Sequence, residues 1–147
     1  MQDETCQCEM CQFGSTFVEA NEARFMQEFG WYAHIVVDDP NCPNNFNLHT
    51  HGMEHSFQHL NFQFCIGINP QHAMGILHLL VDKIKQGRSF SPGEPYYDIV
   101  DNYPLQFIFA KECGRTVLRA CVTNPLGNYE GTMYEAQFTM LDHINTN

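Results

Sequence analysis

The segment between Asn69 and Gly87 constrains the fold more than any other part of the chain. Asn69 suits the N-cap of a helix, Pro70 suits its first turn, and Gly87 suits the position just past its end. The hydrophobic residues between these limits recur every three or four positions: Ala73, Ile76, Leu77, Leu80, Val81 and Ile84. The charged residues Asp82, Lys83 and Lys85 fall outside that stripe. This spacing predicts an amphipathic helix that buries one face against another layer of structure.

The segments on both sides of this helix predict a second helix and a set of strands. Val18, Phe25, Met26 and Phe29 recur at helical spacing before Gly30, which predicts a helix over residues 16–29. Strands are predicted for the β-rich residues 31–37, 46–51, 62–68, 105–110, 116–123 and 133–141, with KECGR as a hairpin connection. This order of elements predicts an α+β fold, a mainly antiparallel sheet with two helices packed on it.

One domain accounts for most of the chain. Its 147 residues suffice for a single domain that buries roughly two-thirds of the surface of the unfolded chain. Hydrophobic residues make up 44% of the sequence and include twelve Phe, so an aromatic core can form. Residues 1–14 are polar, rich in cysteine and without periodicity. We therefore interpret 1–14 as a cysteine-rich N-terminal tail and 15–147 as a single α+β domain.

The chain is strongly acidic. Seven Lys and Arg stand against seventeen Asp and Glu, which gives a formal net charge of -10. Such a charge repels phosphate backbones and anionic lipids, so we expect neither nucleic-acid nor membrane binding, and a basic protein is the favoured kind of partner. No hydrophobic run approaches the ~20 residues that span a bilayer, and the start MQDETCQCEM is unlike a signal peptide. We therefore expect a cytoplasmic protein.

A cysteine cluster, CQCEMC, brings together Cys6, Cys8 and Cys11. Three thiolates can bind zinc, and a closed tetrahedral site then needs one more ligand, which Cys42 or a histidine could supply. One alternative is a tail whose cysteines form no specific site. Another is a redox pair, although the CxxC of redox proteins normally follows a strand and caps a helix, and nothing strand-like precedes it here.

The other cysteines indicate a reducing compartment. The total of seven is odd, which argues against the disulfide framework of a secreted protein. Cys65 and Cys121 lie within hydrophobic, strand-like segments, and we interpret both as buried reduced thiols. In a reducing compartment the clustered cysteines are better candidates for metal than for disulfides.

A histidine cluster, HTHGMEHSFQH, contains four of the eight histidines. On a strand, His49 and His51 would leave the same face about 7 Å apart, close enough to bind one metal ion. His55 and His59 are four residues apart and would share a face if that segment were helical. A metal ion held by His49, His51 and one of these later histidines is sterically reasonable. Glu54 could then act as an oxygen ligand or as a general base.

The simpler interpretation of this cluster is a loop that collects surface histidines without binding metal. Elsewhere in the chain, His34, His72 and His78 are interpreted as solvated or structurally satisfied. The sequence has no P-loop, no GxGxxG after a strand, no GxSxG elbow and no HExxH. No motif therefore assigns a reaction.

Several short motifs occur once each, in a definite order, along the chain. They are Gly30-Trp31 before a strand, Thr50-His51-Gly52-Met53, His59, the 70–86 helix with GRSF behind it, and a terminal strand in 134–142. Over roughly residues 29–142 this order resembles a bacterial domain-of-unknown-function family, number 4262. The chain departs from the family at Leu60-Asn61, where the family has Pro-Glu, and at residues 140–142, where it has Trp-Pro-Asp. The resemblance implies a bacterial cytosolic α+β domain and, since the family has no established activity, no reaction.

These observations leave three hypotheses on function. The first is a non-enzymatic metal-binding or interaction domain in which the three clustered cysteines hold a structural zinc ion. The second is a metal-dependent enzyme that uses the histidine cluster as ligands and Glu54 as the base. The third is a binding module without metal.

Overall fold

The structure is a computed structural model that describes residues 16–40 and 42–138, with side chains from residue 22 onward. The helices are α1 (Thr16–Phe29), α2 (Met53–Phe57), α3 (Pro70–Lys85), α4 (Thr132–Glu135) and a 3-10 helix over Ala136–Phe138. The strands are β1 (Tyr32–Val37), β2 (Phe46–His51), β3 (Phe62–Phe64), β4 (Tyr96–Val100), β5 (Tyr103–Glu112) and β6 (Arg115–Cys121). Within this described part, the helices are too short or too polar to cross a bilayer.

The six described strands form one sheet in the order β1-β2-β3-β6-β5-β4. Neighbouring strands are antiparallel except β3 and β6, which run parallel. The α+β class and the mainly antiparallel sheet are thus confirmed. The prediction of two helices was incomplete. Helices α1 and α3 were predicted, but α2 and α4 span only five and four residues, too few to produce a helical periodicity in the sequence.

Helix α3 covers the apolar face of the sheet. Its N-terminus is capped as predicted, because the side-chain oxygen of Asn69 accepts a hydrogen bond from the backbone N of Gln71 at 2.8 Å. All six residues of the predicted hydrophobic stripe are buried. They form one core with sheet residues that include Leu48, Phe62, Phe64, Leu105, Phe107 and Leu118. Since this face of the sheet is filled by apolar side chains, polar residues collect on the opposite face.

Strands β5 and β6 form the predicted hairpin. Glu112 and Arg115 are the last paired residues, and the two residues between them, Cys113 and Gly114, have φ of 52° and 83°. Positive φ at both central positions is the geometry of the tight turns that suit the twist of a hairpin. The predicted strand over 62–68 is shorter than expected, because β3 ends at Phe64.

The predicted strand over 133–141 is wrong for its described part. Residues 132–138 are helical, and residues 139–141 lie outside the described residues. The side chain of Gln137 takes the place that a neighbouring strand would occupy beyond β6. Its Oε1 accepts from the backbone N of Val122 at 2.8 Å, and its Nε2 donates to the carbonyl of Val122 at 2.9 Å. Alternating hydrophobicity over these residues thus does not come from a strand.

A disulfide joins Cys42 to Cys65. The interpretation of Cys65 as a reduced thiol is therefore wrong, and Cys42 is not available as a fourth zinc ligand. The two cysteines are far apart in sequence, and only the pairing of β2 with β3 brings them together. Cys121 is a free, buried cysteine as predicted. The cluster Cys6, Cys8 and Cys11, with the whole tail over 1–14, lies outside the described residues.

Candidate metal centre

Strand pairing brings three histidines together on the polar face of the sheet. His34 of β1 lies directly opposite His49 of β2, and His51 follows two residues later on the same face. The ring centroids of His34 and His51 are 4.7 Å apart, those of His49 and His51 are 5.0 Å apart, and those of His34 and His49 are 5.8 Å apart. We refer to His34, His49 and His51 as the histidine triad.

The ring nitrogens of the triad are only slightly farther apart than the ligand nitrogens of a metal site. One ring nitrogen from each histidine lies within 4.8 Å of those of the other two. In a tetrahedral zinc site with Zn–N bonds of about 2.0–2.1 Å, ligand nitrogens are separated by about 3.3–3.4 Å. Modest rotations of the three rings would therefore bring the nitrogens to ligand distance. Among the residues that the structure describes, this is the group of His, Cys, Asp and Glu side chains that could hold a metal ion.

The tautomer of His49 is set by a chain of hydrogen bonds. Asn47 donates from Nδ2 to Oδ2 of Asp39 at 2.9 Å, so its amide oxygen points to the other side. That oxygen accepts a hydrogen bond from Nδ1 of His49 at 3.0 Å. Since the proton of neutral His49 is on Nδ1, its Nε2 presents a lone pair, the form in which an imidazole binds a metal ion.

His34 is fixed in the opposite tautomer. Its Nε2 lies 2.8 Å from Oε2 of Glu22 on helix α1, and a carboxylate can only accept at that distance. The other oxygen of Glu22 accepts from the hydroxyl of Tyr32 at 3.3 Å. The proton of His34 is therefore on Nε2, and Nδ1 carries the lone pair. A histidine anchored by a carboxylate through its remote nitrogen is the usual arrangement at metal sites.

The free nitrogens of the triad are left without partners. Nδ1 of His34, Nε2 of His49 and Nε2 of His51 are buried and, within the described part of the chain, accept no hydrogen bond. A buried polar atom without a partner costs about 1–3 kcal/mol, so three in one place need a physical explanation. A metal ion that accepts all three lone pairs would supply that explanation.

The surroundings keep His49 and His51 of the triad neutral. Burial lowers the pKa of His49 and of His51 well below the ordinary value, and the nearby guanidinium of Arg115 lowers both pKa values further. Neutral imidazole is the form that binds metal, so no proton has to be displaced at neutral pH. Arg115 itself is paired with Glu112, Nε to Oε1, at 2.7 Å. Its positive charge is thus compensated beside the triad.

Glu112 approaches the triad from the side of His49. Its Oε2 lies 3.5 Å from Nε2 of His49, and only 2% of its side chain is exposed. Glu54, the candidate base in the sequence, is instead exposed on α2 and is not part of the metal-binding group.

The structure separates the later histidines of the cluster from the triad. Helix α2 ends at Phe57, and Gln58 has φ of 52°, so His55 and His59 do not share a helix face. His55 is exposed. His59 is buried, but Nδ1 donates to the carbonyl of Leu60 at 2.8 Å and Nε2 accepts from the backbone N of Phe90 at 2.9 Å. Both of its ring nitrogens are occupied by bonds within the fold.

His34 is the member of the triad that the sequence interpretation missed. It was read as one histidine within a strand, solvated or structurally satisfied. A signal was present, because a hairpin that pairs Val37 with Phe46 also places His34 opposite His49. The strand boundaries that this register requires, near residues 37 and 46, were both among the predicted ones.

The comparison with known protein families agrees with the resemblance seen in the sequence. The family model described as a domain of unknown function, DUF4262, matches residues 25–124, about two-thirds of the chain. The matched range contains the whole triad together with Glu112 and Arg115. No curated protein and no solved structure matches the chain. The chain belongs to the DUF4262 family.

Proposed function

We propose that the protein is a metal-binding domain whose centre is the histidine triad. The observation that carries this proposal is that the three histidines bring ring nitrogens within 4.8 Å of one another and that each has one buried nitrogen without a partner. In His34 and His49 the other nitrogen is held by a hydrogen bond, so the partnerless nitrogen has a lone pair for a metal ion. Surface histidines without a function would not need this support.

Zinc is the metal that we propose for the centre. Imidazole nitrogen is a good ligand for zinc, copper and nickel, so the ligand type alone allows a small group of metals. Zinc imposes no geometry through its d-electrons and therefore tolerates a site whose rings adjust on binding. Copper generally binds such sites more tightly in solution, so the choice is tested by the metal that the protein retains when it is purified without added metal.

We propose a structural or protein-interaction role for the metal-bound domain. The excess of acidic residues favours a basic protein as the partner. A second zinc ion on Cys6, Cys8 and Cys11 belongs to the same proposal, as do a cytoplasmic location and a bacterial origin. A metal-dependent enzyme with Glu54 as the general base has less support, because Glu54 is exposed on α2 rather than beside the triad.

The test is metal content in a background that isolates the triad. Cys6, Cys8 and Cys11 would be replaced by Ser, and the untagged protein would be purified without added metal. We expect about one zinc ion per chain by elemental mass spectrometry, and loss of that ion in the variants His34→Gln, His49→Gln and His51→Gln.

The matched control for this test is His55→Gln, since His55 is an exposed histidine of the same cluster. It should retain the zinc ion. A background without Cys6, Cys8 and Cys11 that takes up no zinc, even when zinc chloride is added, would refute the proposed centre. Equal zinc content in His49→Gln and in the unchanged triad would also refute it.

A further inference from the structure

A buried carboxylate faces the lone pair of His49, although neither atom can donate to the other. Nε2 of His49 carries no proton in the tautomer that Asn47 imposes, and Oε2 of Glu112 is a carboxylate oxygen. The two acceptors are 3.5 Å apart in a part of the fold where both side chains are almost fully buried. Arg115 is the cation beside this carboxylate, and a divalent ion would bind both facing acceptors at once.

The separation of these two atoms is close to that of two ligands of one ion. In a tetrahedral zinc site, bonds of about 2.0–2.2 Å to nitrogen and oxygen place neighbouring ligand atoms about 3.3–3.5 Å apart. The 3.5 Å between Nε2 of His49 and Oε2 of Glu112 is at this value before any adjustment. Glu112 is not within the 4.8 Å group formed by the triad, so it would approach the ion from the side of His49.

Arg115 holds Glu112 in this position. Nε of Arg115 donates to Oε1 of Glu112 at 2.7 Å, while Oε2 lies 3.5 Å from Nε2 of His49 and 2.8 Å from Sγ of Cys113. Nη2 of the same guanidinium donates to the carbonyl of Thr50 at 2.5 Å, and Thr50 lies between His49 and His51 on β2. The guanidinium therefore ties the end of the β5–β6 hairpin to the strand that carries two of the three histidines.

A carboxylate at the ion lowers the cost of burying a divalent charge among three neutral imidazoles. The charge of Glu112 is shared with Arg115, so the centre as a whole would keep a net positive charge. Among the described residues, Glu112 is a carboxylate that lies 3.5 Å from the lone pair of His49, whereas Glu22 is engaged with the proton of His34.

We propose that Glu112 is the fourth protein ligand of the centre, which makes it a closed site of three histidines and one carboxylate. This inference rests on the proposed metal-binding function. Four protein ligands leave no open position for substrate or water, as in structural zinc sites. The centre would then stabilise or sequester, and it would not activate water.

Cobalt(II) offers the test, because its visible absorption reports the ligands of the ion. Metal-free protein in the Cys6, Cys8 and Cys11 to Ser background would be loaded with cobalt chloride and then titrated with sodium azide. We expect azide to leave the spectrum of the protein that retains Glu112 unchanged, since no coordination position of the cobalt ion is open. In Glu112→Gln we expect a changed spectrum that responds to azide, and an affinity for cobalt lowered at least about tenfold.

Glu112→Gln is chosen because it preserves the fold. Its amide oxygen can still accept from Arg115, and its amide nitrogen can donate to the lone pair of His49. Asp98→Asn is the matched control, since Asp98 is also a carboxylate paired with an arginine, Arg88, but lies exposed and remote in the sheet order on β4. It should change neither affinity nor spectrum.

The outcomes separate this inference from the proposed function. If the unchanged triad binds no cobalt, the metal-binding function fails and this inference fails with it. If cobalt binds and His49→Gln abolishes binding, the centre stands. In that case, azide sensitivity equal to that of Glu112→Gln, or an unchanged affinity in Glu112→Gln, would overturn the fourth ligand alone.

Discussion

At the scale of single residues, Asn47 and Glu22 decide how the triad can react. Each contacts one ring nitrogen of one histidine. These hydrogen bonds select the tautomers, so the other ring nitrogen of His34 and of His49 has its lone pair available before any ion is present. Such preorganisation lowers the free-energy cost of assembling the centre.

Asn47→Ala tests this support. The change removes the acceptor of His49 Nδ1 and of Gln63 Nε2, which leaves two buried donors unpaired. We expect the affinity for zinc to fall roughly 10–100-fold and the free energy of unfolding to fall by about 1–3 kcal/mol. Chelator competition and urea denaturation measure the two effects. Gln71→Ala, an exposed amide on α3, is the control, and an Asn47→Ala protein with unchanged zinc affinity would contradict the role of Asn47.

The triad also predicts how stability depends on pH in metal-free protein. His49 and His51 have pKa values lowered below the ordinary 6.5, whereas in the unfolded chain both take up protons as the pH falls through 6.5. The unfolded state then binds more protons than the native state, so the free energy of unfolding decreases below about pH 6.5. Each histidine contributes a slope of up to about 1.4 kcal/mol per pH unit.

Urea denaturation between pH 7.5 and pH 5.5, in the presence of a chelator, measures this dependence. The control is the double variant His49→Gln, His51→Gln, which should lose most of the slope. A slope equal to that of the unchanged protein would show that these two histidines are not the groups responsible.

At the scale of elements, Gly52 determines how β2 leads into α2. Its φ is +94°, and a Cβ at this position would lie 2.6 Å from Sδ of Met26 and 2.8 Å from the carbonyl oxygen of Gly30. A side chain would therefore strain the backbone and press on helix α1. The turn also follows His51 directly, so the fold around the triad depends on this glycine.

Gly52→Ala should lower the free energy of unfolding by about 1–3 kcal/mol, as measured by urea denaturation. Gly75→Ala is a matched control, because Gly75 lies within α3 and an added Cβ there meets nothing within 4 Å. That substitution should leave stability unchanged or raise it by up to about 1 kcal/mol. Equal effects of the two substitutions would exclude the positive φ and the close contacts as the cause.

The Cys42–Cys65 disulfide encloses β2, α2 and β3 in one loop. A sequence separation of 23 residues predicts that the bond stabilises the fold by about 3 kcal/mol, since it restricts the unfolded chain. The double variant Cys42→Ser, Cys65→Ser should lose that amount in denaturation under non-reducing conditions. The free thiol of Cys121 should not react with an alkylating agent in the native state, because burial raises its pKa to about 12. A double variant as stable as the parent would contradict the stabilising role of the disulfide.

At the scale of the whole molecule, the sheet has one apolar face and one face with a row of polar side chains. One face carries the apolar core beneath α3. The other carries a row of polar side chains across four strands, from His34 and His49 through Gln63 to Arg119, which are paired in register. Nε of Arg119 donates to Oε1 of Gln63 at 3.0 Å, so this row is connected to the support of His49. The histidine triad thus belongs to the sheet rather than to a surface loop.

Zinc should therefore stabilise the whole fold. An ion that binds the native chain and not the unfolded chain adds about 2.7 kcal/mol at a free concentration of 100 times Kd. For a chain of this size that gain corresponds to a rise in Tm of about 5–10 °C. Differential scanning calorimetry in the cysteine-to-serine background would measure it, and a chelator should reverse it. The same Tm with and without zinc would contradict a centre built into the sheet.

Local patterns in the sequence were sufficient for most elements of the fold. Helices α1 and α3 were predicted at residues 16–29 and within 69–87, and β2 at Phe46–His51, because hydrophobic spacing and capping residues act over a few positions. The β5–β6 hairpin followed from its turn. The helical segment over 132–138 was missed, since the hydrogen bonds of Gln137 to Val122 join residues that are distant in sequence.

The sequence by itself determined the α+β class, the amphipathic helix that covers the sheet, and the family to which the chain belongs. It also marked His49 and His51 as neighbours, because alternate residues of a strand share a face. The tertiary structure alone decided that His34 joins them, that His55 and His59 lie apart, and that Glu112 approaches from the hairpin. The physical reason is that strand register and long-range packing place these side chains. Neither can be predicted from the spacing of residues within one segment.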